Sequence, residues 1–285
     1  MPDFGERELK NLQNPSLFGA RVSKLAWNWE FIEGWQELIL LSKDRYGIAN
    51  VSRQCGKSST FMIKAVHKII SKPNALVLVV AEQRQSNEDL RKARDLCRAY
   101  DSYLQEHTEG KLTLNLLTDN KTSLELNNNS RLIALPANEK IRGYSNPDMV
   151  IIDEASRIPD EVFIAIDPMI TMGMGQLFIT STPNGNQGFF YHQWKDPRYT
   201  LRLEIPYFKS ERVMKEKKVL DHINALRFTL GDAYVKQEYE CAFLDDISSL
   251  FTEQALNASL DEKEAPFSDT MKIINTALGK EDEFL

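Results

Sequence analysis

The segment Val51-Ser52-Arg53-Gln54-Cys55-Gly56-Lys57-Ser58-Ser59 constrains this chain more than any other. It joins a strand-like run, Tyr46–Val51, to a helix-like run over residues 59–70. Gly-Lys-Ser at such a junction is the pattern of a loop that cradles phosphates. Backbone N–H groups of the loop and of the helix N-terminus converge on an anion there, and the helix dipole adds partial positive charge. Residues 52–59 are therefore the candidate nucleotide-binding residues: Ser52, Arg53, Gln54, Cys55, Gly56, Lys57, Ser58 and Ser59. Lys57 is placed to reach the outer phosphates and Ser58 to hold Mg²⁺. The full pattern opens on a glycine, and here Val51 stands in that position. The tripeptide alone is equally compatible with a surface turn, so the rest of the chain must decide.

With 285 residues the chain can bury one large core, or one core and a small appendage. No stretch has the ~18 consecutive apolar residues of a membrane span. The first residues are acidic (Asp3, Glu6, Glu8), which reads against a secretory signal. Three cysteines, Cys55, Cys97 and Cys241, are too widely spaced for a C-x-x-C pair, so the chain carries neither a disulfide framework nor a zinc motif. The net charge is −6. Modules that bind DNA by neutralising many phosphates are usually basic, so any DNA contact here must be local, transient or shared among subunits.

Strand-like and helix-like runs alternate through most of the chain. Residues 75–81 form a continuous apolar run suited to a strand buried on both faces. Residues 85–103 read as a helix with Leu90, Ala93, Leu96 and Cys97 on one side, and Arg91, Lys92, Arg94 and Arg98 on the other. That basic side reads first as a solvated face and second as a surface that tracks DNA. Residues 112–117, 123–126 and 131–135 suggest meander strands at a sheet edge. Residues 148–153 and 176–180 add two buried strands. Strands alternating with helices predict an α/β fold with a mainly parallel sheet. After residue 205, charged helical stretches (209–220 and 222–243) suggest a small helical C-terminal subdomain. The tail from residue 260 is acidic and lacks periodicity. The expected division is a core over 1–205, a helical lid or linker over 206–260, and a mobile tail over 261–285.

Two further strand ends carry candidate chemistry. Met149-Val150-Ile151-Ile152 runs into Asp153-Glu154. Asp153 is placed to bind Mg²⁺, and Glu154 to polarise the water that attacks the γ-phosphate. Leu177-Phe178-Ile179-Thr180 runs into Ser181-Thr182-Pro183-Asn184-Gly185, where Ser181 and Thr182 could sense the γ-phosphate. Ligands of open parallel sheets sit beyond the carboxyl ends of the strands, so these ends should meet around one ligand.

Together these motifs resemble the ATPase domain of the large terminase subunit of tailed bacteriophages, over roughly residues 27–243. Ser52-Arg53-Gln54-Cys55-Gly56-Lys57-Ser58 is similar to that family's variant phosphate loop. Ile151-Ile152-Asp153-Glu154 resembles its acidic strand end, Thr180 through Gly185 its coupling motif, and Trp35-Gln36 its adenine-recognising segment. The resemblance implies a P-loop NTPase fold of the RecA-like, additional-strand catalytic-glutamate type. It implies hydrolysis of ATP with Mg²⁺ to drive double-stranded DNA into a procapsid. It also implies a portal protein and a small terminase subunit as partners, and a homo-oligomeric ring at the procapsid portal in the bacterial cytoplasm. Gln36 would read the adenine edge, Arg53 would reach the phosphates in cis, and Arg142 would act as an arginine finger on a neighbouring subunit.

The family normally continues into a nuclease domain. The residues after Phe243, beginning Leu244-Asp245-Asp246, offer no such pattern, so no DNA cleavage is expected of this chain alone. Two rival readings remain open here. One is a helicase core of superfamily 2, disfavoured by the presence of a single core. The other is a nucleotide-dependent switch that hardly turns over, disfavoured by Glu154. Cys55 at a helix N-terminus has two readings: an inert small residue, the favoured one, or a reactive thiol that nucleotide protects.

Overall fold

A computed structural model describes residues 4–138, 141 and 143–244. Asp245-Asp246 and the acidic tail lie outside the described residues. Three helices come first: α1 (Phe4–Gln13), α2 (Pro15–Trp27) and α3 (Gly34–Leu41). Then β1 (Tyr46–Val51), α4 (Lys57–Ser71), β2 (Leu76–Ala81) and α5 (Gln83–His107) alternate. The strands β3 (Leu116–Asp119), β4 (Ser123–Leu126), β5 (Arg131–Pro136) and β6 (Met149–Ile152) follow. After them come α6 (Asp160–Gly173), β7 (Gln176–Ser181), α7 (Gly188–Lys195) and β8 (Leu201–Ile205). The described chain ends in α8 (Glu211–Lys215), α9 (Lys217–Leu230) and α10 (Asp232–Glu240).

The eight strands form one sheet in the order β3-β4-β5-β2-β6-β7-β1-β8. The six from β5 to β8 pair in parallel, and β3 and β4 add an antiparallel edge. Strand β7 lies between β1 and β6, so one added strand separates the phosphate-loop strand from the acidic strand. The register aligns Asn50 with Ser181 and Ile152 with Ile179, which levels all three strands at their carboxyl ends.

Alternation in each strand sends side chains to opposite faces. Val77, Val79, Ile151 and Phe178 pack with Phe61, Met62, Leu96 and Tyr100 on one side. Leu78, Val80, Val150 and Ile179 pack with Val162, Ile166 and Phe189 on the other. Such continuous apolar strands are stable only when helices cover both faces. Gly47 in β1 leaves room for the Phe178 ring, since a Cβ there would lie 2.5 Å from it.

Helix α4 begins at Lys57 rather than residue 59, and α5 extends beyond both expected ends. Of the expected strand at 112–117, only residues 116 and 117 lie in β3. Leu114 N and Thr113 Oγ1 instead donate to Asp101 Oδ1 at 2.7 and 2.8 Å, which draws that segment onto α5. The final helices break at Glu216 and at Gly231, whose φ of 88° suits only glycine, and not near residue 221.

Candidate nucleotide-binding site

Two residues of the loop after β1 adopt positive φ, Gln54 at 63° and Gly56 at 86°. These reverse the backbone and lead it into α4. Gly56 occupies the N-cap position and contributes no side-chain acceptor, so the first turn of α4 keeps N–H groups for an anion. A Cβ at Gly56 would lie 3.2 Å from both Arg212 Nη1 and Trp29 Cη2. The Arg212 guanidinium stacks 3.8 Å above the Trp29 ring, so an aromatic–cation pair flanks the loop.

Beneath the loop lies a closed set of hydrogen bonds. Thr60 Oγ1 donates to Gly56 O at 2.9 Å, and Gln36 Nε2 donates to Thr60 Oγ1 at 2.8 Å. Gln36 Oε1 accepts from Glu33 N at 2.9 Å, and Trp35 Nε1 donates to Glu33 Oε2 at 2.6 Å. Gln36 is fully buried. In this structure Gln36 gives one hydrogen of its amide to Thr60 and one lone pair to Glu33, and so braces the loop from below.

Across the loop, β6 delivers the two carboxylates. Asp153 N donates to Val80 O at 2.9 Å, which continues the sheet one residue past β6. Asp153 is fully buried, and its Oδ1 accepts from Glu154 N at 2.9 Å. Glu154 sits in the left-handed region with φ 52°, a conformation that costs a non-glycine residue about 1 kcal/mol or more and gathers at functional sites. The turn aims its carboxylate back at the loop, where Lys57 Nζ donates to Glu154 Oε1 at 2.6 Å. Burial alone would lower the Lys57 pKa. The carboxylates of Asp153 and Glu154 outweigh it and raise the pKa, so the ammonium stays charged. Ser58, next along α4, is also buried.

The hydroxyls after β7 engage protein partners. Ser181 Oγ donates to Ser156 Oγ at 2.8 Å and accepts from Ser156 N at 3.1 Å, which ties β7 to the turn after Glu154. Thr182 Oγ1 donates to Glu238 Oε2 at 3.1 Å. Glu238, on α10, also accepts from Arg53 Nε at 2.5 Å and Arg157 Nη2 at 2.9 Å. Burial would lower the Arg53 pKa, but Glu238 overrides it and raises it. Arg53 N donates to the Glu238 carbonyl at 3.1 Å, so loop and helix are joined through main chain as well.

The structure thus brings Lys57, Ser58, Asp153 and Glu154 to one rim of the sheet and links Ser181 to them through Ser156. Arg53 faces Glu238 instead of open space. Ser52 is buried, its N–H donating to Ile205 O at 2.9 Å. Arg142 lies outside the described residues. Cys55 fits the inert reading: it is fully buried, and burial pushes its thiol up to about 11. The helix N-terminus does not offset that desolvation. Sequence reasoning missed Glu238, Arg157, Gln85, Trp29 and Arg212, since no local pattern marks them. Among the described residues no group of three His, Cys, Asp or Glu could hold a metal ion, and no helix is long and apolar enough to cross a membrane.

The fold has solved counterparts. The large terminase ATPase domain of Thermus phage P74-26 superposes with a TM-score of 0.59 at 19% identity, covering 78% of this chain and 97% of that one. The HK97 bacteriophage large terminase gives a TM-score of 0.63 at 15% identity, over 81% of this chain and 55% of that chain. A large terminase from a thermophilic bacteriophage, solved in complex with ATP-γ-S, gives 0.52 at 13% identity, over 80% and 53%. This chain therefore spans about half the length of the latter two. The profile of the terminase large subunit, T4likevirus-type, N-terminal family matches residues 48–258. That match covers most of the sequence and contains the loop, the acidic strand end and the coupling segment, and the chain belongs to this terminase family.

Proposed function

We propose that this site binds ATP with Mg²⁺ and hydrolyses it, and that hydrolysis drives double-stranded DNA into a procapsid. One observation carries the reading. The loop lysine of α4 and the strand-end glutamate of β6 are already in contact, with Asp153 and Ser58 beside them. A hard divalent cation fits this donor set. One hydroxyl and one carboxylate are too few to hold Mg²⁺ alone, and Mg²⁺ usually takes one or two protein oxygens together with substrate phosphates. Ser58 and Asp153 would hold it, and when bound it would neutralise charge on the phosphates.

The remaining chemistry belongs to the chain. First-turn N–H groups of α4 receive phosphate oxygens. Lys57 turns from Glu154 to the phosphates and balances their charge. Glu154, released, orients the attacking water and accepts its proton. Arg53 adds positive charge from within the loop, and Arg142 completes the site of a neighbouring subunit in a ring. Residues 206–260 serve as the lid or linker. The expected partners are the portal protein and the small terminase subunit, in the bacterial cytoplasm.

Phosphate release with Mg²⁺ and with EDTA tests this reading, in wild type, Lys57→Ala and Glu154→Gln, at several protein concentrations. Mg²⁺-dependent turnover should be lost in both variants. A Glu154→Gln variant as fast as wild type would overturn the assignment.

A further inference from the structure

Helix α5 contributes a side chain to the metal end of the site that the mechanism above does not use. Gln85 lies in its first turn. Its Nε2 is 2.9 Å from Asp89 Oδ1, 3.1 Å from Asp153 Oδ2 and 3.4 Å from Ser58 Oγ. An amide nitrogen carries two hydrogens, so three acceptors compete for them. By distance the two carboxylates take the bonds and the Ser58 hydroxyl is the weakest partner. Ser58 and Asp153 come from different elements, α4 and β6. Among the described residues, Gln85 is the side chain whose amide nitrogen lies within 3.5 Å of both.

Asp89 is fully buried one helical turn further on. Lys92 Nζ approaches its Oδ1 at 3.3 Å, while its Oδ2 has no hydrogen-bond partner among the described residues. A buried carboxylate with an open oxygen is costly unless something uses it. Its other oxygen, Oδ1, accepts from the Gln85 amide and holds the nitrogen on the side of Asp153. Asp153 is then held at both oxygens, Oδ1 by Glu154 N–H and Oδ2 by Gln85.

We propose that Gln85 is a positioning residue for Mg²⁺: anchored by Asp89, it fixes the Asp153 carboxylate and keeps the Ser58 hydroxyl beside it. This rests on the nucleotide-binding reading and extends it to α5. Partners that orient metal ligands from outside typically change metal affinity about 10–100-fold when removed. Gln85 touches no phosphate in this scheme, so its loss should leave metal-free nucleotide binding intact.

The test is fluorescence titration of N-methylanthraniloyl-ADP against wild type, Gln85→Met and Gln85→Asn, with increasing MgCl₂ and separately in EDTA. Methionine keeps the length without a donor, and asparagine keeps the amide but withdraws it. Both should raise the half-saturating Mg²⁺ concentration about tenfold or more, with affinity in EDTA unchanged once the folded fraction is accounted for. Asp89→Ala, which frees the amide to turn, should shift the Mg²⁺ midpoint in the same direction. Wild-type binding combined with an unmoved Mg²⁺ midpoint in both Gln85 variants overturns the proposal. So does equal weakening with and without Mg²⁺, the mark of a packing role. If wild type itself binds no nucleotide, the nucleotide-site reading fails and this inference falls with it.

Discussion

Lys57 Nζ and Glu154 Oε1, 97 positions apart in the chain, lie 2.6 Å from each other across the phosphate loop. The pair competes with the expected task of each residue. Glu154 has only Oε2 left for a water while Oε1 neutralises Lys57, and Lys57 gives Glu154 a donor and a charge that a phosphate would otherwise take. Bound phosphates must therefore compete with Glu154 for the ammonium. Glu154→Gln removes that competitor's charge. ATP should bind as tightly as to wild type or several-fold tighter, while hydrolysis falls about 10²–10⁴-fold. Equilibrium binding and single-turnover hydrolysis check the two halves. Weaker binding in the variant would show that the ion pair organises the loop rather than opposing the ligand.

Glu238 joins three segments that lie far apart in the sequence. It holds Arg53 of the loop, Arg157 after the acidic strand and Thr182 after β7. Its side chain is 4% exposed, while those of Arg53 and Arg157 are 45% and 35% exposed, so water screens the arginines but not the carboxylate. Glu238→Ala should cost about 1–3 kcal/mol, as expected for hydrogen bonds to a charged group. Thr182→Val, which removes one neutral donor, should cost about 0.5–1.5 kcal/mol. Urea denaturation ranks the two. A larger loss in Thr182→Val would place the anchor elsewhere.

Burial decides between the two readings left open for Cys55, and it extends to the other thiols. Cys55, Cys97 and Cys241 are all buried. Burial pushes the first two up to about 11 and about 12, from an ordinary 9.0, and raises Cys241 as well. The unfolded chain therefore releases these protons first. The thiols' contribution to stability is fully present below about pH 9 and is lost as pH climbs toward the native values. The urea midpoint should fall between about pH 9 and 11. Iodoacetamide at pH 8 should leave Cys55 unmodified with or without nucleotide, and label it only in denaturant. Rapid native labelling would refute the burial argument.

What was readable in the sequence follows from how local the cause is. The apolar runs of β1, β2, β6 and β7 are short and bounded by turn residues, so both their existence and their shared rim could be anticipated. Lys57 stands at a loop-to-helix boundary and Asp153 and Glu154 at a strand end, each marked by a motif. Glu238 and Gln85 stand inside ordinary polar helices, and only the topology that lays α5 and α10 against the strand ends gives them partners. Gln36 shows both cases: its bond to Glu33 N is a local capping box at the start of α3, while its bond to Thr60 exists only because α3 packs on α4. The strand expected at 112–117 failed because Asp101, a helical neighbour, competes for its backbone.

Gly56 and Gly231 separate backbone strain from ligand binding. Their φ values are nearly equal, 86° and 88°, so alanine strains both. A Cβ at Gly56 meets Arg212 and Trp29 at 3.2 Å, whereas at Gly231 nothing lies within 4 Å. Each substitution should cost about 1–3 kcal/mol from the unfavourable backbone region. Gly56→Ala should in addition weaken nucleotide binding by at least tenfold (about 1.4 kcal/mol), because the left-handed turn that aims the first N–H groups of α4 is strained and the methyl presses on the Arg212–Trp29 pair beside it. Gly231→Ala should bind nucleotide like wild type once the folded fraction is accounted for. Thermal melts paired with nucleotide titrations read both quantities. Equal nucleotide affinity in the two variants would mean that the Gly56 turn does not shape the phosphate cradle.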